Sequence, residues 1–420
     1  MGWARQSEFI RRFSRSRVPV DAAWICWAAL IVTITVLIMV GSDRTVVGAY
    51  RDAAVQWFAG RDIYSNTGHG FLYLPSAAIL FAPFAALPIA ASEIVWRVLT
   101  IGSFAVGVRR LSTLVGRGFD LFPLMTLAAL PPALSCARNG QSTLIMTATM
   151  MLAAVELADG RRWRSALWLS LSLAFKPLTA VMILLVAALD WRMAWRLFAG
   201  VALVLLFPFL TQTPHYVADQ YIKSLQMFRA SSLCGMTELW AQPFSVLSSM
   251  GITVTESVQT LIRAVAALAT LVLCRAAQRR HGSYRAVEYL FAFSVLYILL
   301  FNPRTENNTY AMLGPAIGLF AAPWIANGRH RAAVLFLSLL LFLLAAGDEL
   351  VRVVAPPGEH IWLKPSLGIL FLLFLIGHLF MPKGNPREPA DFESPYDSEL
   401  SDRPVLAGAG TTDRQGLLFP

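Results

Sequence analysis

The stretch that decides the fold is DAAWICWAALIVTITVLIMV, residues 21–40, followed after a short polar link by AYRDAAVQWFAGRDIY, residues 49–64. Apart from Asp21, Thr33 and Thr35 the first segment is apolar, and it has the length of about 20 residues that a helix needs to cross a bilayer. The second segment places Arg51-Asp52 and Arg61-Asp62 where the chain has only just left the membrane. The sequence therefore predicts a membrane helix followed by a charged loop at the bilayer surface.

The composition extends this prediction to the whole chain. Of its 420 residues, 56% are hydrophobic and 14% are charged, and the mean hydropathy is +0.58. Soluble domains carry about 25% charged residues. Apolar runs recur along the chain and leave no polar block of comparable size, so we interpret it as one integral membrane domain.

The charged and sulphur-containing residues exclude several classes of function. The net charge of +10 comes from short clusters between apolar runs and not from one basic stripe, so no nucleic-acid partner is expected. The four cysteines are Cys26, Cys136, Cys234 and Cys274; they show no CxxC spacing, so neither a metal site nor a disulfide framework is expected. No DxD pair calls for a divalent ion. We expect neither a metal nor a cofactor.

The apolar runs predict about twelve membrane spans, within a range of about ten to thirteen. They begin near residues 21, 90, 119, 142, 164, 178, 197, 257, 286, 309, 332 and 364. The two runs between 164 and 190 are the hardest to separate, because Lys176-Pro177 interrupts one continuous apolar stretch. Five arginines precede the first span, which is expected to remain as a signal anchor.

Lys and Arg concentrate in alternate connections, and the positive-inside rule then puts both termini in the cytoplasm. The sequence thus divides into a basic cytoplasmic N-terminus (1–20), a transmembrane domain (21–381) and a disordered cytoplasmic tail (382–420). The large loops, 42–89, about 211–256 and 347–363, fall on the outer side. Within the first loop, two apolar pieces beginning at Ala49 and Leu74 predict short helices lying beside the membrane.

Polar residues gather at three further positions on the predicted outer face: RNGQ at 138–141, Lys176, and NPRTENN at 302–308. Each has an ordinary explanation: a tight turn around Gly140, a lysine reaching the lipid headgroups, and a polar loop. Ionisable groups at membrane depth are costly and mark substrate paths or paired sites. Because all of these positions fall on one side with Asp52, we interpret them as a single site.

The order of these elements resembles the C-type glycosyltransferases of family 87. The resemblance rests on Asp52 after the first span, on a G-x-D-x-Y element at 60–64, and on Tyr73-Leu74-Pro75 before an apolar run. It also rests on Asn139-Gly140-Gln141, AFKP around Lys176, and Asn302-Pro303-Arg304. It covers residues from about 20 to 380. This implies a multispan all-α enzyme of C-type glycosyltransferase architecture, with a long first outer loop carrying juxtamembrane helices.

The resemblance further implies transfer of a hexose, with mannose the expected sugar, from a polyprenyl-phosphate donor to a lipid or glycan acceptor on the outer side of the cytoplasmic membrane. An aspartate of the first outer loop is the proposed base in such enzymes, which corresponds to Asp52. The chain departs from the pattern at NPRTENN, where some members carry an aromatic and histidine-containing stretch. That departure leaves the acceptor and the sugar open.

The residue types fit this chemistry. Asp52 suits a general base, since partial desolvation at an interface raises the pKa of a carboxylate; one carboxylate acting by direct displacement inverts the anomeric centre. Charge-assisted donors hold a leaving phosphate. The candidates for that role are Arg138, Lys176 and Arg304. The candidates for binding sugar or acceptor are Asp62, Tyr64, Asn139, Gln141, Glu306, Asn307 and Asn308.

Asp62 competes with Asp52 for the role of base, although its setting between Arg61 and a glycine favours a structural turn. The main functional alternative is a multispan transporter or flippase of a lipid-linked substrate, and a third is a non-catalytic scaffold. Transporters are often built from repeated halves, whereas this chain is asymmetric, which favours the enzyme. The sequence leaves the oligomeric state open.

Overall fold

The computed structural model describes residues 18–41, 44–65, 71–116, 120–233, 240–328, 330–354 and 359–381. The predicted tail and all but the last three residues of the predicted N-terminal segment lie outside these ranges. The described residues form α-helices joined by turns and short 3-10 segments, and none of them forms a strand.

The first half of the chain contributes eight helices: α1 (Val18–Met39), α2 (Val47–Phe58), α3 (Pro75–Ala85), α4 (Ile89–Val115), α5 (Phe122–Asn139), α6 (Thr143–Ala158), α7 (Arg162–Phe175) and α8 (Ala180–Leu189). The second half contributes α9 (Trp191–Leu206), α10 (Pro214–Leu233), α11 (Pro243–Ser249), α12 (Glu256–Arg280), α13 (Ser283–Phe301), α14 (Leu313–Asn327), α15 (Arg331–Val354) and α16 (Leu363–Phe380).

Each of the twelve predicted spans corresponds to a helix, and the all-α polytopic membrane fold is confirmed. Eight helical segments in the described residues are long and apolar enough to cross a membrane: α1, α4, α9 with its 3-10 extension, α12, α13, α14 with the 3-10 turn before it, α15 and α16. The other four predicted spans are α5–α8, of 10 to 18 residues. The interruption expected at Lys176 is also present: α7 ends at Phe175, and Lys176 is extended (φ −154°, ψ 124°), as the residue before a proline prefers.

Burial separates central helices from peripheral ones. In the most apolar 18-residue stretch of α13, 78% is buried inside the protein, and in that of the segment Asn307–Asn327 this share is 89%. In α12 it is only 11%, with apolar side chains such as Leu261 and Leu268 exposed. A helix that is apolar and exposed is stable only in an apolar solvent, so the peripheral helices carry the lipid-facing surface and α13 and α14 form the centre of the bundle.

The first loop folds into the two short helices expected of it, α2 and α3. The apolar side chains of α2 recur at helical spacing, Val47, Tyr50, Ala54 and Trp57, and all are buried. They pack with α3 and the start of α4 in a second hydrophobic cluster, separate from the main core. At 11 and 12 residues neither helix is long enough to cross a bilayer, so this cluster forms a cap on one end of the bundle.

The crossing of α5 and α14 depends on a glycine. A Cβ at Gly314 would lie 2.6 Å from the carbonyl oxygen of Ala128, whereas a Cβ at Gly102 in α4 would meet nothing within 4 Å. We expect Gly314→Ala to push the helices apart and to lower stability by about 1–3 kcal/mol, the usual cost of overpacking. Gly102→Ala is the control and is expected to be neutral or stabilising, because alanine favours helix.

Thermal unfolding of the two purified variants in detergent measures the difference. Equal melting temperatures for both variants would contradict the close approach of α5 and α14.

Candidate active site

The turn between α5 and α6, residues 138–141, is fixed by contacts from other elements. Gly140 ends α5 in the left-handed conformation (φ 67°, ψ 30°), which glycine adopts without strain. Its carbonyl accepts a hydrogen bond of 2.8 Å from the indole of Trp96, and the carbonyl of Asn139 accepts one of 3.0 Å from the backbone N–H of Val46. The turn expected from the sequence is therefore also the joint that holds α2 and α4.

A buried ion pair supports the same turn. The guanidinium of Arg97 donates to the carbonyl of Arg138 through Nη2 at 2.9 Å and Nε at 3.2 Å, and it also pairs with Glu93 one turn earlier on α4. Glu93 accepts a further hydrogen bond of 3.0 Å from the hydroxyl of Thr45. Removing one partner of such a buried pair leaves an uncompensated charge and is strongly destabilising. The loop before α2, the start of α4 and the end of α5 are thus locked together.

The start of α6 meets the cap of the bundle through two tyrosines. The hydroxyl of Tyr50 lies 3.0 Å from that of Tyr73 and accepts a hydrogen bond of 3.2 Å from the backbone N–H of Ser142. Burial raises the pKa of both phenols, and for Tyr73 the nearby Glu306 carboxylate adds to the effect. Both tyrosines therefore stay neutral at physiological pH and serve as hydrogen-bonding groups.

Lys176 reaches the same place from the break between α7 and α8. Its Nζ donates to the hydroxyl of Thr143 at 2.8 Å and lies 6.0 Å from the ring centroid of Tyr73. No carboxylate among the described residues forms an ion pair with it. An ammonium group that is partly buried and has no counter-ion is well placed to bind an anion.

The loop at 302–308 closes the other side of this cluster. The side-chain amide of Gln141 donates to the carboxylate of Glu306 at 2.5 Å, a contact between residues 165 positions apart. Two positions earlier, the guanidinium of Arg304 stacks over the ring of Trp240, with 4.4 Å from Cζ to the ring centroid. The predicted residues Gln141, Lys176 and Glu306 are thus brought together, and Arg304 lies on the same loop.

Several polar atoms at this end of the bundle are buried and have no hydrogen-bond partner among the described residues. They are Asn139 Oδ1, Ser142 Oγ, Trp240 Nε1, Gln242 Oε1, Arg304 Nε and Asn307 Oδ1. Buried polar groups in native proteins are normally satisfied, by water or by a ligand where the protein itself offers nothing. Four of these six atoms, on Trp240, Gln242, Arg304 and Asn307, belong to the loop 302–308 or to residues that contact it, so water or a ligand is needed there to satisfy them.

Asp52 is exposed on α2. It follows Tyr50 by two residues, so it points to the opposite side of the helix, along with the exposed side chains of Val55 and Phe58. Among the described residues, its carboxylate makes no hydrogen bond and no ion pair. The structure therefore leaves Asp52 available but does not join it directly to Lys176 or Arg304.

Asp62 is held in a turn. One carboxylate oxygen accepts from the backbone N–H of Tyr64 at 2.9 Å, and the other pairs with the Nζ of Lys223 at 3.1 Å. Tyr64 is buried and donates its hydroxyl to the carbonyl of Tyr73 at 2.7 Å. These contacts agree with the structural role favoured for Asp62 and give Tyr64 a similar one.

The remaining predicted residues surround the cluster. The side chain of Arg138 is exposed, and only its carbonyl takes part in the fixed turn. Asn307 and Asn308 are half-buried. The Nζ of Lys364 donates to the carbonyl of Asn307 at 3.1 Å and pairs with Asp348 at 2.7 Å, which ties the loop to α15 and α16.

Three side chains that sequence reasoning did not single out organise the site: Glu93, Trp96 and Arg97. A signal for them exists, because a Glu and an Arg four residues apart near the start of an apolar span are expensive unless they are paired. Within the described residues, no group of three or more His, Cys, Asp or Glu side chains lies close enough to hold a metal ion.

Gly140 offers a direct test of the joint. A Cβ there would lie 2.7 Å from Cγ2 of Val47 and 3.2 Å from Cζ of Arg97. We expect Gly140→Ala to lose about 1–2 kcal/mol from the left-handed backbone alone and a further amount from this clash. Gly60→Ala is the matched control, since Gly60 has φ 65° and nothing within 4 Å of a Cβ.

Thermal unfolding of both variants isolates the contribution of the clash. If Gly140→Ala costs no more than Gly60→Ala, the turn does not depend on its close packing against α2 and α4.

The comparison with protein-family models matches residues 71–303 to Glycosyltransferase family 87. This range is more than half of the chain; it contains Gln141 and Lys176, begins after Asp52 and ends directly before Arg304. No curated protein and no solved structure matches the chain. The chain belongs to glycosyltransferase family 87 and is a membrane glycosyltransferase.

Proposed function

We propose that this protein transfers a hexose, with mannose the expected sugar, from a polyprenyl-phosphate donor to a lipid or glycan acceptor. The reaction takes place on the outer side of the cytoplasmic membrane, with Asp52 as the general base and with inversion at the anomeric carbon. The observation that carries the donor-binding part of this proposal is the meeting of Lys176 with the Gln141–Glu306 pair beside α2. Asp52 lies on the exposed side of α2, opposite Tyr50, and its role as base rests on the resemblance to family 87.

The orientation rests on the distribution of Lys and Arg. The loops assigned to the outer side meet at one end of the bundle: Val46 bonds to Asn139, and Gln141 bonds to Glu306. Clusters assigned to the inner side lie at the opposite ends of the same helices, where Tyr284 contacts Asp159. The candidate site and the main arginine clusters thus lie at opposite ends of the bundle. The positive-inside rule then assigns the site to the outer side.

The cations are proposed to hold the leaving phosphate. Among the described residues, Lys176 is a point charge without a counter-ion, and Arg304 has a guanidinium whose Nε is buried and makes no hydrogen bond. Both fit the developing charge on a phosphate, and such stabilisation is usually the largest contribution to catalysis. Arg138 is exposed and is assigned a weaker part, in attracting the donor.

The neutral groups are proposed to recognise the sugar and the acceptor. Asn139, Asn307 and Asn308 offer amide donors and acceptors, and Asn139 and Asn307 each carry a buried oxygen without a partner among the described residues. Gln141 and Glu306 are already hydrogen-bonded to each other. A sugar hydroxyl that bonds to both side chains therefore extends an existing hydrogen-bond network. Asp62 and Tyr64 support this surface from the turn below α2.

The reaction then follows from the charges. The Asp52 carboxylate takes the proton of an acceptor hydroxyl. At the same time the oxygen of that hydroxyl attacks the anomeric carbon, and the bond from that carbon to the phosphate oxygen breaks. The electron pair leaves with the polyprenyl phosphate, which Lys176 and Arg304 stabilise. One carboxylate and direct displacement give inversion. Asp52 is suited to this role because no cation among the described residues engages it.

A transporter or flippase of the same lipid-linked molecules is the alternative. It predicts movement of the donor across the membrane without transfer of its sugar. Membership of a glycosyltransferase family favours the enzyme, and the same reconstituted assay distinguishes the two, since only the enzyme releases polyprenyl phosphate.

Asp52→Asn tests the base. Loss of general-base catalysis typically costs about 10²–10⁴-fold in rate, so we expect a loss of this size in sugar transfer from synthetic polyprenyl phosphate sugars, with donor binding retained. Asp62→Asn is the comparison and is expected to keep most of its turnover, because its carboxylate holds a turn. Full activity in Asp52→Asn would show that Asp52 is not the base. A loss of sugar transfer only in Asp62→Asn would assign the base to Asp62.

Lys176→Gln tests the phosphate site. Removing a charge-assisted contact to the phosphate is expected to weaken donor use by about tenfold or more, with Lys176→Arg retaining part of it. Lys223→Gln is the control, a lysine at the same end whose charge is matched by Asp62 and Asp219. Steady-state kinetics over donor concentration give the answer, and unchanged donor dependence in Lys176→Gln would mean that the phosphate lies elsewhere.

A further inference from the structure

A second polar site lies at the other end of α7. A shallow cavity of about 390 Å³ is lined by Gly160, Arg161, Arg162, Trp163, Arg164 and Arg196. Lys176 follows the last residue of α7 and the cavity lies at the first, so the two are separated by the length of the helix, about 20 Å. This cavity takes no part in the site described above, and we call it the arginine cavity.

Arg196 is the best-positioned cation of the arginine cavity. Its Cζ lies 5.2 Å from the ring centroid of Trp163 and 4.6 Å from that of Trp195. The two indoles meet edge to face at 88°, with their centroids 4.8 Å apart. A guanidinium held between two aromatic rings keeps its planar fork oriented, and that fork matches the oxygens of a phosphate.

The arginine cavity keeps a net positive charge after its ion pairs are counted. Asp190 is fully buried and pairs with Arg162 at 3.2 Å. Glu156 is shared: it pairs with Arg161 at 3.3 Å and lies 3.9 Å from Arg164, whose side chain is 66% exposed. Arg161 also lies 3.5 Å from Asp159, and Glu156 also pairs with Arg110 at 3.4 Å. Among the described residues, three carboxylates therefore face five arginines once Arg196 is included, so the cavity retains attraction for an anion.

The surface next to the arginine cavity is apolar and exposed. Leu167 lies one turn beyond Trp163 on α7 and is 62% exposed, and Phe198 lies one turn beyond Trp195 on α9 and is 76% exposed. Between the two helices Gly200 packs against Ser170 so closely that a Cβ would fall 1.9 Å from its hydroxyl oxygen. The result is a cationic cavity rimmed by exposed tryptophans that continues directly into a lipid-facing apolar surface.

We propose that the arginine cavity binds the headgroup of an anionic phospholipid, with the phosphate between Arg164 and Arg196 and the acyl chains along Leu167 and Phe198. Tryptophan belongs at the level of the headgroups, and arginines beside a membrane helix attract anionic lipids. A free phosphate uses only the cations and gains nothing from the exposed indoles and the apolar surface, so an amphiphile is the better fit. This binding is independent of the proposed transfer reaction.

Binding of phosphatidylglycerol and phosphatidylcholine to the purified full chain in mixed micelles tests the proposal. Native mass spectrometry gives the number of bound lipids and their affinities. We expect phosphatidylglycerol to bind in preference to phosphatidylcholine and to weaken as salt is added. Glycerol 3-phosphate and inorganic phosphate are expected not to compete. Equal affinity for the two lipids, or displacement by either soluble phosphate at equal concentration, would overturn the proposal.

The double variant Arg164→Gln/Arg196→Gln should weaken phosphatidylglycerol binding by about tenfold or more. Arg279→Gln/Arg280→Gln is the matched control, because it removes the same charge from the end of α12, and it should change affinity less than about twofold. Phe198→Asn keeps every arginine and should remove the preference for long over six-carbon acyl chains. An unchanged affinity in the first double variant, an equal loss in the control, or an unchanged chain preference in Phe198→Asn contradicts the assignment.

Discussion

One joint holds together the end of the bundle that carries the candidate site: the left-handed turn at Gly140, where the carbonyls of Arg138, Asn139 and Gly140 accept hydrogen bonds from two other elements. Trp96 and Arg97 reach it from α4, and the backbone of Val46 reaches it from the start of α2. If the carbonyls of the turn were hydrogen-bonded only to solvent, the two helices that it joins could move apart. Here each of these carbonyls accepts a hydrogen bond from another element. The position of α2, and of Asp52 on it, is therefore set by α4 and α5 and not by the loop in which it occurs.

The charges of the candidate site are placed by two elements, the turn at 138–141 and the break before Pro177. Gln141 follows the turn and bonds to Glu306, while Lys176 enters through a backbone break that Pro177 enforces. The acid is matched by a neutral amide and the cation by a neutral hydroxyl, so neither charge neutralises the other. An ion pair between Lys176 and Glu306 would bind a phosphate weakly, because the carboxylate would repel it. Because Lys176 and Glu306 each bond to a neutral side chain, both keep their charge for a ligand. The ammonium group can contact a phosphate, and the carboxylate can accept a hydrogen bond from a sugar hydroxyl.

Much of this site was accessible from the sequence. Lys176, Gln141 and Glu306 were selected because charged and amide residues at membrane depth are expensive, and the structure brings them together. The same argument applied to Glu93 and Arg97 would have found the buried pair in α4, where their spacing of four residues already places them on one face. No local pattern predicted the role of Tyr50. In the sequence it occupies one more apolar position of α2, but in the structure its hydroxyl accepts a hydrogen bond from the backbone N–H of Ser142.

The sequence by itself did not predict α10 and α11, which lie in the segment 211–256 that was assigned to a loop. It determined the class of protein, the order of its twelve predicted spans, the break at Lys176 and the short helices of the first loop. These follow from local physics: the length of apolar runs, the backbone restriction before proline, and the periodicity of a helix. Only the tertiary structure decided which polar residues share a site, because contacts such as Gln141 to Glu306 join residues 165 positions apart. It also decided that Asp52 faces away from Tyr50 and stays exposed, since the direction in which α2 turns its faces is set by its packing on α3 and α4.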